Sequence, residues 1–549
     1  MAQLRFMRLF NRKIIALTLI ILSAVFLRFY QLSTNPPSLT WDEAAWGYNA
    51  YSLGIDGKDE FGKFLPIQYL ESFGDFKPPV YAYLDIIPIK IFGLNEFAIR
   101  FPSALFGVLT VLATYFLVKR IFYKSKNSEN YALLSSLFLA ISPWHILLSR
   151  AAFEANVASF FIVLGIWGFL AAVEDKRRYL VISAVSFALS MYTFNTARIV
   201  VPLLVIILAV IFRKQLFVIK KEAIIAVVIG FLIFAPLIGF LLSPQAGLRF
   251  KEVNIFTDPE VVKTANQEIA NDQNALWSKV IHNRRVLYSL EFVKHYFDNL
   301  SPLFLFIRGD GNPKFSTQEV GQMYLFDIVF FVSGIFLLLK RKEGYFWLIP
   351  LWLLIGIIPA ATARETPHAL RIETTLPTFQ IITAYGFIEL LEFVRKRKKE
   401  VTIFLLSLLF LNCIYFTRNY FTHYRFDFSG EWQYGYKESI SFVKNVEDDY
   451  DYVQVTQTLG RPYIYYLLYQ NISPEYFREN SVIQRDPFGF VTVERVGKYL
   501  FPKVYSYELS KTKKVLYINT PYNLPKNIHV LKTFYLLDGK PELVAYTYD

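Results

Sequence analysis

The chain has 549 residues, 54% of them hydrophobic and 18% aromatic, with a mean hydropathy of +0.32, which excludes a soluble protein of ordinary composition and points to a polytopic membrane protein. A formal net charge of +13 raises nucleic acid as a partner, but most Lys and Arg clusters flank hydrophobic runs, a pattern of membrane orientation and not of a basic binding face. The single cysteine, Cys413, excludes an intramolecular disulfide and a Cys-built zinc site.

The N-terminus carries Arg5, Arg8, Arg12 and Lys13 ahead of an apolar stretch with no clear small-x-small cleavage site, and reads as an uncleaved first helix. Windows long enough to cross about 30 Å of hydrocarbon give eleven candidate spans, near 13–30, 99–121, 130–147, 152–173, 179–194, 197–213, 223–242, 324–340, 345–361, 374–393 and 400–416. With the N-terminus inside, every inside loop is basic: Lys119-Arg120 with Lys124 and Lys126, Lys176-Arg177-Arg178, Arg213-Lys214 with Lys220-Lys221, Lys340-Arg341-Lys342, and Arg395 through Lys399. The C-terminus then lies outside, and the expected location is the plasma (inner) membrane, multi-pass, with a cytoplasmic N-terminus.

The first outside loop, 31–98, reads as two interfacial helices: an aromatic one from Trp41 to Leu53, and one from Val80 to Phe92 opened by Pro78-Pro79. The loop 244–323 is polar and irregular, too long for an idle connection, and expected to be partly ordered. From about 417 the chain turns charged and aromatic. A helix at Tyr436–Val446, a strand at Tyr452–Gln457, a helix at Pro462–Tyr469 and strands at Val515–Ile518 and Ile528–Thr533 suggest a small outside α/β domain. The expected fold class is therefore a membrane all-α bundle of about eleven transmembrane helices, residues 1–416, followed by a soluble extracytoplasmic α/β domain, 417–549.

Chemistry is sought among the outside polar residues, since ionisable groups near a bilayer are costly and usually face a cavity. In Thr40-Trp41-Asp42-Glu43, two adjacent acids can serve proton or metal chemistry, yet Thr40-x-x-Glu43 is also a capping box. Lys77, in Asp75-Phe76-Lys77-Pro78-Pro79, either snorkels to headgroups or meets a lipid phosphate. Arg150 and Glu154 stand four apart and either pair on a helix or leave Glu154 as a second acid facing the cavity. Arg198, Arg249 and the segment Arg364-Glu365-Thr366-Pro367-His368-Ala369-Leu370-Arg371 add cations on the same side, suited to a phosphate. The six histidines show no HExxH pattern, and no P-loop or Rossmann glycine pattern is present, which disfavours a nucleotide-driven pump or a nucleotide-sugar domain.

The Asp-Glu pair in the first outside loop, the later Lys-Pro-Pro, the Arg and acid near the next outside helix and the Pro-His-x-x-Arg before a late span together resemble the GT-C glycosyltransferases. More narrowly, residues 10–395 resemble the branch containing protein O-mannosyltransferases and the aminoarabinose transferases of lipid A, grouped as family 39; the stretches Asn299–Phe306 and Gly321–Leu325 look like its bacterial members. The resemblance implies transfer of a sugar from a polyprenyl-phosphate donor on the outer membrane face, with membrane lipids as surroundings, a protein, lipid or glycan acceptor, and no nucleic acid. It places Asp42 as the acid that activates the acceptor, Glu43 beside it, Glu154 at the second acidic position and Lys77 near the donor phosphate. Arg150, Arg249, Arg364, His368 and Arg371 are carried as substrate-binding residues. The sequence assigns no cofactor and leaves the need for a divalent ion open; such an ion, where one binds, would sit on Asp42, Glu43 and Glu154. Two rivals are a transporter or flippase of lipid-linked sugars, whose polar residues would lie at the bilayer midplane, and a non-catalytic scaffold whose terminal domain recruits a partner.

Overall fold

In the computed structural model, which describes residues 2–486 and 490–548, the chain is mostly helical and forms two compact units. The first comprises Met1–Arg28, Leu105–Ser149 and Glu154–Phe416; the second comprises Phe29–Ala104, Arg150–Phe153 and Thr417–Asp549. The last change of unit along the chain falls at Phe416/Thr417. Residues 29–104 cluster with the C-terminal residues and not with most of the apolar helices.

Apolar helices dominate the first unit. Among the described residues, Glu96–Ile121, Glu154–Glu174, Lys220–Leu241 and Lys398–Asp427 are long and apolar enough to cross a membrane, and Ser128–Ile141 with Pro143–Arg150 forms a fifth candidate bent by 56°. Pro143 accounts for the bend, since it has no amide hydrogen to continue the ladder. Other expected spans fall on shorter helices: Tyr179–Met191 has 13 residues and Leu348–Ala361 has 14, a rise of about 20 Å each. Glycines let two helices touch backbone to backbone: a Cβ on Gly386 would strike the Phe330 carbonyl, and one on Gly334 the Ile382 carbonyl.

The second unit carries the first loop. Its helix Trp41–Asp56 starts at Thr40 and stops at Gly57, whose φ of 74° is the left-handed conformation that ends helices. A short antiparallel hairpin follows, β1 (Leu70–Ser72) with β2 (Asp75–Lys77), then the helix Val80–Phe92. The C-terminal residues build a seven-stranded mixed sheet from β3 (Tyr452–Val455), β4 (Ser481–Arg485), β5 (Val491–Val496), β6 (Tyr499–Leu500), β7 (Val515–Asn519), β8 (Ile528–Tyr535) and β9 (Pro541–Tyr548). Their order is β4-β5-β6-β3-β7-β9-β8, with β3 parallel to both β6 and β7.

The helix Pro462–Tyr469 packs against Trp41–Asp56 through tyrosines whose rings bury apolar area while their hydroxyls find partners. Tyr465 donates to the Leu39 carbonyl at 3.0 Å, and Tyr48 donates back to the Ile472 carbonyl at 3.1 Å. Gly460, at a φ of +84°, leaves room for the Trp41 ring.

Candidate functional site

Thr40 and Glu43 form the full capping box: the Glu43 amide donates to Thr40 Oγ1 at 3.3 Å and the Thr40 amide to Glu43 Oε2 at 2.9 Å. Glu43 does more than cap. Its Oε1 accepts from Arg100 Nε at 2.9 Å and from the Ala152 amide at 3.0 Å, while Oε2 accepts from Arg100 Nη2 at 3.3 Å. Both partners are fully buried. Arg100 also donates to the carbonyls of Leu32, Pro36 and Ser38, pinning the chain that leads into the helix. Its guanidinium lies 5.8 Å from the Trp432 ring centroid.

Asp42 points the other way. Its side chain is 53% exposed and pairs with Lys77 Nζ, whose own side chain is only 10% exposed. The hairpin sets that lysine, opposite Leu70 at the end of β2. The ammonium sits 5.2 Å from the Trp46 ring and 5.3 Å from the Phe73 ring, a partly aromatic cradle that favours a cation. A solvent-facing carboxylate therefore meets an ammonium with little freedom to move.

Behind this pair lies a buried polar layer. Asn49 donates to Glu60 Oε1 at 3.3 Å and to Ser72 Oγ at 3.1 Å and accepts from the Glu60 amide at 3.0 Å; Tyr463 donates to Glu60 Oε2 at 3.4 Å. Burial pushes the Glu60 carboxyl up to about 8, against the opposing pull of the Ser72 and Asn49 hydrogen bonds and the Lys77 charge. Asp85, on the Val80–Phe92 helix, is fully buried with no hydrogen-bond partner on either oxygen among the described residues. Burial, reinforced by the Glu43 charge, holds its carboxyl well above the ordinary range.

Arg150 is fully buried and anchors local backbone. Its Nη2 donates to the carbonyls of Tyr30 at 2.8 Å and Asn35 at 2.7 Å, and Nε to Tyr420 Oη at 3.2 Å, with the Phe421 ring 4.9 Å away.

The remaining expected residues belong to the first unit. Glu154 opens the helix Glu154–Glu174. Arg364 donates to the Asn254 carbonyl at 3.0 Å and Thr257 Oγ1 at 3.2 Å, and lies 3.8 Å from Asp258. His368 stacks on Phe315 with centroids 4.9 Å apart, with Asp310 4.0 Å from one ring nitrogen and Glu365 3.8 Å from the other. Asp310 in turn accepts from the Ala369 amide at 2.7 Å, and burial lifts its carboxyl to about 6. Arg371 donates to the Glu365 carbonyl at 2.9 Å. The Arg249 side chain lies outside the described residues.

No group of three or more His, Cys, Asp or Glu among the described residues is spaced to hold a metal ion. The donor set also argues against the expected triad, because the Glu43 carboxylate is already filled by Arg100, the Ala152 amide and the Thr40 amide.

Arg100 and Glu60 were not singled out by the sequence. Arg100 had one usable signal, since an arginine at the end of a span that the sequence reads as outside is an exception to the charge rule and needs a local reason. Glu60 had none.

Residues 76–240 match the family model described as dolichyl-phosphate-mannose-protein mannosyltransferase, a stretch that includes Lys77, Arg100, Arg150 and Glu154 but not Asp42 or Glu43. The chain is 31% identical over 210 residues to an uncharacterized protein of Aquifex aeolicus, covering 37% of this chain and 40% of that one. It is 26% identical over 166 residues to the putative mannosyltransferase YkcB of Bacillus subtilis, covering 30% of this chain and 21% of the relative. The matches thus span less than half the length of these relatives. Among solved structures, ArnT from Cupriavidus metallidurans superposes over 96% of this chain and 97% of its own with a TM-score of 0.53 at 12% identity, both in the apo state and bound to undecaprenyl phosphate. The chain is a membrane protein with the GT-C glycosyltransferase fold, similar to the family 39 branch.

Proposed function

We propose that this chain, built on the GT-C fold, transfers a monosaccharide from a polyprenyl-phosphate donor to an acceptor hydroxyl at the outer face of the plasma membrane, with inversion at the anomeric carbon. The observation that carries the reading is the Asp42–Lys77 pair: an exposed carboxylate and a shielded ammonium, side by side on the loop that follows the first helix. Support for a lipid-phosphate donor comes from the family model over 76–240 and from the fold shared with a protein solved with undecaprenyl phosphate. The acceptor class is a protein hydroxyl, a lipid or a cell-envelope glycan. The eleven-span topology, with the N-terminus inside and residues 417–549 outside, belongs to the same reading.

The chemistry is one displacement. Asp42 accepts the acceptor hydroxyl proton as the oxygen bonds to the anomeric carbon, the bond from that carbon to the phosphate oxygen breaks, and the polyprenyl phosphate departs with the electron pair. Lys77 takes up the charge that develops on the phosphate, where a fixed cation out of bulk water acts most strongly. Glu154 serves as the second acid, and Arg249, Arg364, His368 and Arg371 supply further cations for the phosphate. Glu43 and Arg150 hold the loop in place and do not touch substrate.

The pair also imposes an order. While Lys77 holds Asp42, the carboxylate is a poor base; a donor phosphate arriving beside Lys77 competes for the charge of the fixed ammonium and frees Asp42 for the acceptor. Transfer assays with labelled donor test both roles. Asp42→Asn lowers kcat by about 100-fold or more with donor KM little changed, whereas Lys77→Met lowers kcat/KM for donor by about 100-fold or more. Wild-type turnover in Asp42→Asn removes Asp42 from the mechanism.

A further inference from the structure

The segment between Pro244 and Asn299 folds into amphipathic helices, including Leu276–Ile281 and Arg284–Asp298. On Arg284–Asp298 one face is tied to the rest of the first unit: Tyr288 donates to the Asp258 carbonyl at 3.3 Å, and His295 Nδ1 lies 2.8 Å from the Ala363 carbonyl. The opposite face is bare. Val286, Leu290, Val293 and Phe297 recur at helical spacing, and Leu290 and Phe297 are 59% and 62% exposed. The preceding turn adds Trp277 and Val280, exposed by 56% and 69%. A contiguous apolar stripe of this kind marks a binding surface. Because the inner face is anchored, its exposure is not that of a dangling loop.

We propose that this stripe docks on the membrane itself, lying in the headgroup layer of the leaflet that adjoins it and gripping anionic phosphodiester headgroups with the basic residues around it. Two observations select that occupant over another protein. The segment begins three residues after the Lys220–Leu241 span, at the end away from Lys220 and Lys221, so chain continuity holds it at the bilayer surface. The stripe is also accompanied by exposed Lys279, Arg284, Arg285 and Lys294, against two partly buried acids, Glu291 and Asp298, on the same helix. Amphipathic helices with apolar centres and basic margins bind anionic interfaces, where each Lys or Arg adds attraction to the anionic leaflet.

The test uses the full chain in nanodiscs of phosphatidylethanolamine and phosphatidylglycerol. Cys413→Ser removes the sole cysteine, and Leu290→Cys or Val280→Cys then carries a spin label, with Lys263→Cys on the neighbouring helix as an aqueous control. The expected result is greater access of oxygen than of a water-soluble nickel chelate at 280 and 290, and the reverse at 263. Charge reversal at Lys279, Arg284, Arg285 and Lys294 together lowers the oxygen preference at 290 several-fold in these discs but not in discs of phosphatidylcholine alone. Preferential nickel access at 280 and 290 overturns the proposal. So does dipolar broadening between labels in discs that hold two copies, which assigns the stripe to self-association. Equal effects of charge reversal in both kinds of disc overturn the headgroup part. None of these readouts needs sugar transfer, so failure of the transferase reading leaves them decisive.

Discussion

Asp42 and Glu43 are one residue apart, about 100° around a helix, and that rotation puts one carboxylate in solvent and the other in a fully buried salt bridge. Their substitutions should separate cleanly. Glu43→Gln leaves Arg100 buried without a counter-charge, which costs about 3–5 kcal/mol. Asp42→Asn removes the counter-charge of Lys77 at a half-exposed position and shifts stability by about 1 kcal/mol. Thermal unfolding in detergent measures the first effect and transfer assays the second, so the variant that unfolds easily is not the one that loses only chemistry. Glu60 gives a pH signature. Its carboxyl titrates at about 8 in the fold and at about 4.3 in the unfolded chain, so the unfolded state loses its proton first as pH rises. The stability contributed by the protonated form is full below the lower value and is lost as pH climbs toward the upper one. Glu60→Gln keeps the hydrogen-bonding shape and flattens that slope, which unfolding measured from about pH 5 to pH 9 detects. The sequence carried the capping box and both acids, because a cap is local. It could not distribute their roles, since Arg100 lies 57 residues from Glu43 and Tyr420 lies 270 from Arg150, and neither pairing has a local signal.

At the scale of elements, legibility followed punctuation. Val80–Phe92 and Pro462–Tyr469 form over the residues read for them, each behind a proline at its opening and, for the first, ahead of Gly93. Tyr436–Val446 does so too, with Glu438 closing on the Gly435 amide. The hairpin that sets Lys77 and four of the seven sheet strands were not read. Strands of three residues, or of two in β6, are too short to show alternation, and β4 exposes most of its side chains, so burial writes no pattern there. Helix contact in the first unit is set by glycine. Gly386→Val places branched carbons against the Phe330 carbonyl and Gly334, and the overpacking costs about 1–3 kcal/mol. A lower unfolding temperature with unchanged donor KM in the folded fraction is the expected pattern.

At the scale of the whole molecule, composition divided the chain at 416, while packing assigns the first loop to the C-terminal residues. Composition registers what a segment is made of, not what it folds against, so the partnership had no trace in the sequence. Arg478 donates to the Asp59 carbonyl at 3.2 Å and pairs with Asp56, Lys437 bonds Glu96 at 2.6 Å, and Arg485 pairs with Glu71. Residues 417–549 therefore brace the loop that bears Asp42 and Lys77. A chain ending at Phe416 is expected to lose sugar transfer while still inserting in the membrane. Tyr465→Phe, which deletes one hydroxyl, costs only about 1 kcal/mol; transfer assays and unfolding check the two. Full activity in the truncated chain refutes the brace.

The brace also fixes a timetable. The ribosome delivers the Trp41–Asp56 helix about 400 residues before Pro462–Tyr469, an interval of roughly 20 to 80 seconds at ordinary elongation rates. Through that interval Tyr48 and Glu60 stand without Ile472 and Tyr463, and the loop that bears Asp42 and Lys77 has no finished partner. The loop that bears Asp42 and Lys77 thus acquires its packing partners only once Pro462–Tyr469 has been made, and a chain stopped before that helix lacks them.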